Sequence, residues 1–301
     1  MAKILVCDAI DEKCINTLKE LGYEVHQQTG MDEATLIEKV PPYHAMIVRS
    51  ATKVTAKVIA AAENLKVVLR GGVGIDNIDS EAAKEHDVHV RNTPAASSHA
   101  VAELALTKMF ALAGKYTLAN ASMQAGKWEK KKFKGTELAG KVLGLIGSGR
   151  IGSEVARLAS ALGMSVIAYD PYVTTFEFGT LVDSKEDVFK TADYISLHLP
   201  FNESTANIVS KEMIDLMKPT AFLIQCARGG VVDEAAFAAA AREGKVGGGA
   251  FDVFADEPLG DSPLRGIDNI ILTPHIGAST KEAQARIGDE LVEIIKEELP
   301  L

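Results

Sequence analysis

Arg228, Glu257 and His275 are the side chains from which a proton-transfer site could be built, and each follows a short apolar run. AFLIQCA leads into Arg228 and two glycines, GGAFDV carries Asp252 near its end with Glu257 a few residues on, and NIILTP leads into His275. A histidine supplies a base near neutral pH. A carboxylate beside it holds the tautomer that turns the other ring nitrogen outward and stabilises the imidazolium that forms. An arginine meets a carboxylate in bidentate geometry and polarises an adjoining carbonyl. These residue types suit removal of hydride from the carbinol carbon of a 2-hydroxy acid, because the hydroxyl proton must leave as the hydride does. Taken singly each has a plainer reading: an arginine after a strand as a surface ion pair, a histidine after a proline as a loop residue. His198, closing DYISLHLP, is a rival base, since it too stands at the end of an apolar run.

A hydride needs an acceptor, and a second motif offers a place for one. Gly147, Gly149 and Gly152 form a GxGxxG turn directly after the apolar run KVLGLI and directly before the helix-like RIGSEVARLASALG. In that context glycines permit a tight turn and close approach of the backbone to a pyrophosphate, while the helix N-terminus offers N–H groups and partial positive charge. The next run, MSVIAY, ends in Asp170, where an acid accepts hydrogen bonds from a ribose 2′-hydroxyl and repels a 2′-phosphate. NAD is therefore expected rather than NADP. The plainer reading, a tight turn with a capping aspartate, does not account for all the elements standing in register.

The elements that must position these residues alternate short β-branched runs with helix-like stretches, the pattern of parallel sheets. One series has candidate strands KILVC (3–7), AMIVR (45–49), KVVL (66–69) and VHVR (88–91), separated by segments such as DEKCINTLKELG with helical spacing. Its first turn holds no glycine, so it should not take a dinucleotide in this way. A long amphipathic stretch follows, HAVAELALTKMFALAG, which Ser97 or Ser98 could cap and Gly114 could end. The second series contains KVLGLIG, MSVIAYD, DYISLHLP, AFLIQCA, GGAFDV and NIILTP, a sheet of about six strands suited to a doubly wound domain. In such sheets ligands bind outside the carboxyl ends of the strands, where the three candidate residues fall. The last segment, STKEAQARIGDELVEIIKEEL, reads as a helix with Ile287, Leu291, Ile294 and Ile295 on one face. It is expected to return to the first domain, making that domain discontinuous.

Composition bounds the alternatives. At 301 residues the chain is long enough for two domains, and 47% hydrophobic with 24% charged residues is ordinary globular composition. No apolar stretch approaches the ~20 residues of a spanning helix, and MAKILVCDAID is too short and too acidic for a signal peptide, so the cytoplasm is the expected location. A net charge of −9 argues against nucleic acid as a partner. The one dense basic run, Lys127 to Lys134, reads equally as a solvated segment or as a site for an anion. Cys7, Cys14 and Cys226 form no metal-ligand cluster and no even set for disulfides, and read as buried thiols.

The segments IVRSATKVT (47–55), RGGVGIDNID (70–79), NTP and AVAEL (92–94 and 100–104), GKW (126–128), GSGRIG, CARGGVVDE (226–234), FDVFADEP (251–258) and PHIGASTKEAQ (274–284) together resemble the D-2-hydroxyacid dehydrogenase family over essentially the whole chain. The branch most resembled acts on D-3-phosphoglycerate, in a short form without C-terminal regulatory domains, for which inhibition by serine is not expected. The resemblance implies an α/β fold of two Rossmann-like or flavodoxin-like parallel-sheet domains. The NAD-binding domain (95–280) is inserted in a discontinuous substrate domain (1–94 and 281–301), and a homodimer forms through the nucleotide domain. It implies catalytic roles for Arg228, Glu257 and His275, which sets His198 aside. It further implies that Val73, Gly147, Gly149, Arg150, Ile151, Gly152, Asp170, Leu199, Cys226, Ala227, Asp252, Gly277 and Ala278 line the cofactor. Arg49, Ser50, Arg70, Gly72, Val73, Gly74 and Lys130 fall on the side of a small anionic substrate, with Lys130 reaching a neighbouring subunit's phosphate group. Leu199 departs from a threonine common at that position, so a side-chain hydrogen bond to the cofactor is lost there. The implied activity is NAD-dependent oxidation of 3-phosphoglycerate at the start of serine synthesis. Glyoxylate or hydroxypyruvate reduction is the alternative, and a nucleotide-sensing corepressor a more distant one.

Overall fold

A computed structural model describes residues 1–301 and divides into two compact units, Met1–Ser97 with Ala278–Leu301, and Ser98–Gly277. In the first, strands and helices alternate: β1 (Lys3–Val6), α1 (Glu12–Glu20), β2 (Glu24–Gln27), α2 (Glu33–Lys39), β3 (Ala45–Val48), α3 (Ala56–Ala61), β4 (Val67–Arg70), α4 (Ser80–Glu85) and β5 (His89–Asn92). The strands form one parallel sheet in the order β2-β1-β3-β4-β5, the flavodoxin-like order. Four of these strands are legible as apolar runs. The fifth, β2, is EVHQ at the sheet edge, with only Val25 buried, so it carries no continuous apolar signal. Side chains of Asp32 and Asp79 accept the N–H groups of Thr35 (2.8 Å) and Ala82 (3.0 Å), capping α2 and α4.

The second unit opens with α5 (Ser98–Ala113), α6 (Tyr116–Gln124) and a short 3₁₀ turn at Lys130–Phe133. There follow β6 (Val142–Ile146), α7 (Arg150–Ala161), β7 (Ser165–Tyr169), β8 (Thr180–Leu181), α8 (Lys185–Thr191), β9 (Tyr194–Leu197), α9 (Lys211–Asp215), β10 (Phe222–Gln225), α10 (Glu234–Arg242), β11 (Gly248–Phe251) and β12 (Ile270–Leu272). All seven strands are parallel, in the order β12-β11-β10-β9-β6-β7-β8. This is the dinucleotide-binding order with its reversal between β6 and β9. The added strand is the two-residue edge β8, too short to carry a pattern. Helix α5 keeps the one-sided pattern its sequence suggested, with His99, Glu103, Thr107 and Phe110 exposed along one stripe. Val101, Ala102, Ala105, Leu106, Met109, Leu112 and Ala113 are all buried, against α7, β10 and β11.

The last helix, α11 (Lys281–Glu298), belongs to the first unit. Thr280 caps it through the Ala283 N–H (3.1 Å). Ile287, Leu291, Val292, Ile294 and Ile295 enter the core formed by Ile4, Val6, Leu18, Ile47 and Leu69, each such burial contributing about 1.5–3 kcal/mol. Tyr23 Oη donates to Leu299 O (2.8 Å) and Arg286 Nε to Ala96 O (2.8 Å), fixing its register. All three cysteines are free and buried. No helix is long and apolar enough to cross a membrane.

Candidate active site

The glycine turn lies where the strand order of the second sheet reverses. Gly147 has a φ of +91°, and a Cβ there would stand 2.3 Å from His198 O in the loop after β9, so both conformation and space demand glycine. Gly149, the residue preceding α7, differs: a Cβ would meet nothing within 4 Å, and no side chain caps the helix start. With no capping side chain, the first-turn N–H groups of α7 are left for an anion, which fits a pyrophosphate. Arg150 and Ile151 open α7, with Arg150 exposed and Ile151 packed against the core of the unit. Asp170, just past β7, accepts from Ser148 N (2.9 Å), Ser148 Oγ (3.3 Å) and Tyr172 N (3.0 Å), which ties the acid to the glycine turn. The residues present therefore suit a dinucleotide.

The turns after β10, β11 and β12 carry Arg228, Asp252, Glu257 and His275. Gln225 at the end of β10 accepts from Ala227 N (3.1 Å) and donates to Arg228 O (2.7 Å), stapling the turn that presents Arg228. Gly229 brings this turn against the next, since a Cβ there would sit 1.7 Å from Phe254 O. Phe254 N in turn donates to Glu257 Oε1 (3.1 Å), and Glu257 Oε2 lies 2.7 Å from His275 Nδ1. The side chains of His275 and Glu257 are 33% and 34% exposed, so the pair is reachable from solvent yet partly screened. Burial pushes the Glu257 carboxyl up, but the hydrogen bond and charge of His275, the Phe254 N–H and the Arg228 guanidinium outweigh it and hold it below its ordinary value.

His275 itself has a φ of +50°, a conformation that costs a β-carbon-bearing residue about 1–2 kcal/mol. Asp252 holds it there. This carboxylate, 1% exposed, accepts from Ile276 N (3.0 Å) and Gly277 N (2.9 Å), while its own carbonyl accepts from His275 N (2.8 Å). Thr273, which no sequence pattern singled out, adds its hydroxyl to the same carboxylate (2.5 Å). The only signal was a hydroxyl residue two places before His275. His198 has a different environment: Nε2 lies 2.8 Å from Ser196 Oγ, Nδ1 is buried without a partner, and burial pushes its pKa down to about 3. It stays neutral through the range where a base must accept a proton.

Cys226 and Ala227 are buried in the turn leading to Arg228, and burial pushes the Cys226 thiol up to about 12. Leu199 packs its side chain against the core beneath the β9 loop. Ala278 falls within the first unit and packs against its core. In that unit Arg49, just past β3, is partly buried, with Nη1 donating to Gln284 Oε1 and its backbone carbonyl accepting from Asn77 Nδ2 (2.7 Å). Burial lowers its pKa and nearby Asp8 raises it, with a net fall. Arg70, at the end of β4, lays its guanidinium over Gly72, and Val73 O accepts from Asn92 Nδ2. Ser50 and Gly74 occupy the turns after β3 and β4. Lys130 is exposed in the 3₁₀ turn of the second unit.

Residues 106–277 match the family described as D-isomer specific 2-hydroxyacid dehydrogenase, NAD binding domain. The chain belongs to the D-2-hydroxyacid dehydrogenase family. It is 48% identical over 303 residues to D-3-phosphoglycerate dehydrogenase of Methanocaldococcus jannaschii, covering 99% of this chain and 58% of that protein. It thus spans little more than half the length of that relative. It is 44% identical to hydroxypyruvate reductase of Thermotoga maritima, covering 99% of this chain and 98% of that one. Among solved structures, D-lactate dehydrogenase from Aquifex aeolicus, complexed with NAD and lactic acid, aligns with a TM-score of 0.86 at 29% identity, covering 97% of this chain and 94% of that one.

Proposed function

We propose that this chain oxidises D-3-phosphoglycerate to 3-phosphohydroxypyruvate with NAD, in the cytoplasm, at the step that opens serine synthesis. The observation that carries the chemistry is the 2.7 Å contact of His275 Nδ1 with Glu257, which leaves Nε2 to take the substrate's hydroxyl proton. Glu257 offsets the charge of the resulting imidazolium, and Arg228 holds the substrate carboxylate in its two-pronged geometry. In the reverse direction the same imidazolium returns its proton to the carbonyl oxygen. NAD, held by the turn at Gly147 to Gly152 with Asp170 on its ribose, supplies the acceptor for hydride when bound. The resemblance assigns the phosphate to Arg49 and Arg70, and to Lys130 of a neighbouring subunit, and the similarity to the Methanocaldococcus relative also favours a phosphorylated substrate.

A second reading, reduction of hydroxypyruvate, is favoured by the Thermotoga relative, which this chain matches almost end to end. A spectrophotometric panel separates them: NAD and NADP against 3-phosphoglycerate, glycerate, lactate and 2-hydroxyglutarate. Turnover with glycerate as good as that with 3-phosphoglycerate, or a Michaelis constant for 3-phosphoglycerate unmoved by Arg49→Ala, would reject the phosphorylated substrate. A second copy of the chain is the proposed partner of the second unit. Helix α6 buries none of its side chains, Phe110, Tyr116, Met123 and Trp128 stand exposed, and a hollow of about 480 Å³ lies beside them, lined by Leu118, Phe133 and Phe222. Sedimentation of a Phe110→Glu/Met123→Glu variant as a monomer, against a dimeric parent, is the expected result.

A further inference from the structure

Helix α5 holds a lysine that the chemistry above does not use. Lys108 is 2% exposed, on a helix otherwise buried through Ala105, Leu106, Met109 and Leu112. An ammonium so placed loses its hydration and must find partners. Its Nζ lies 2.6 Å from Thr273 Oγ1 and 3.3 Å from Phe251 O. An ammonium only donates, so the Thr273 hydroxyl accepts from it and turns its single proton to Asp252 Oδ1. The chain of bonds has one direction: Lys108 to Thr273 to Asp252. The Asp252 carboxylate then takes the Ile276 and Gly277 amides as well. A carboxylate has about four acceptor positions, so one on Oδ2 is left over. Burial lowers the Lys108 pKa, while Cys226 and Asp252 push it back up.

We propose that Lys108 is a positioning residue for the His275 loop: through Thr273 its ammonium balances the Asp252 carboxylate and keeps it aimed at the amides that follow His275. Without that counter-charge, Asp252 is an unbalanced anion in an apolar core, and the loop it anchors loosens. The effect on turnover rests on the function proposed above; the effect on the loop does not.

The test uses Lys108→Met, close in length and uncharged, with Thr273→Val as a second variant that breaks the same chain while keeping side-chain shape. In the cofactor-free protein, amide exchange in peptides spanning 273–279 should quicken about tenfold or more in both, the scale of a lost hydrogen bond to a charged group. NAD affinity by calorimetry and kcat should each fall by about the same factor, with the Michaelis constant of the hydroxy acid little changed. Lys108→Met/Asp252→Asn should be no worse in kcat than Asp252→Asn alone, because both act at one carboxylate. Unchanged exchange, NAD affinity and kcat in the two single variants, or independent addition in the double variant, would overturn the proposal. If Lys108→Met fails to fold, Thr273→Val decides by the same measurements. A parent chain without NAD binding or turnover, but with exchange quickened in the variants, would reject the proposed function and keep the positioning role.

Discussion

Two turns in this molecule begin from the same plan and end differently. After β1, the first strand of the five-stranded sheet, the chain places Asp8, 7% exposed, whose carboxylate accepts from Arg49 N (2.5 Å), Thr52 N (3.3 Å) and Thr52 Oγ1 (2.9 Å). After β6, the first strand of the seven-stranded sheet, the chain places Gly147 and Gly149, and the room beside Gly149 is empty of protein. Both turns lie at the carboxyl end of a strand in a parallel sheet, where N–H groups converge. One sheet meets that need with an anion of its own. The other meets Ser148 N through Asp170 but caps the start of α7 with no side chain, leaving that end to be met from outside. The capacity to bind a phosphate-bearing ligand is thus decided by which side chains the turn withholds, and topology alone does not confer it.

The comparison can be tested from its strongest consequence downward. His275→Ala, at the carboxyl end that is left open, should lower kcat by about 10²- to 10⁴-fold with the fold intact; an equal loss only in His198→Ala would move the base to the β9 loop. Gly149→Val fills the empty room, so calorimetry should show NAD affinity reduced by about tenfold or more, while thermal unfolding stays near the parent because no protein atom lies in the way. A matching loss of stability would mean that the turn, like the one at Asp8, is already filled. Asp8→Ala should do the opposite, costing about 1–3 kcal/mol in denaturant unfolding as buried donors lose their acceptor, with NAD affinity unchanged. The smallest effect concerns acid. His198 is held neutral down to about pH 3, against an ordinary value of 6.5. The unfolded chain therefore binds a proton that the folded chain refuses as pH falls below 6.5, and the stability present above that value declines towards pH 3. His198→Asn should flatten that part of the stability profile; an unchanged slope would show that the buried ring contributes nothing to it.

Much of this was legible beforehand, for reasons that differ by residue. The GxGxxG turn announces itself because glycine is demanded by backbone geometry, and Arg228, Glu257 and His275 stand out because polar residues after apolar runs mark strand ends. His275 and Glu257 meet in space although far apart in sequence, a juxtaposition that depends on β11 and β12 being neighbours. What escaped is equally physical. Edge strands β2 and β8 bury little and so show no period. Lys108 looks like a polar break in an apolar helix, and only the partner that crosses over from the end of β12 reveals why it is tolerated.

Helix α11 closes the core of the first unit, yet it follows the second unit in sequence. During synthesis the five strands of the first sheet emerge early, with the face that Ile287, Leu291 and Ile295 will cover still bare. The second unit, continuous in sequence, can finish folding before the first one does. The core of the first unit therefore stays incomplete until α11 has emerged, and the bare sheet face is the surface that needs shielding in the interval.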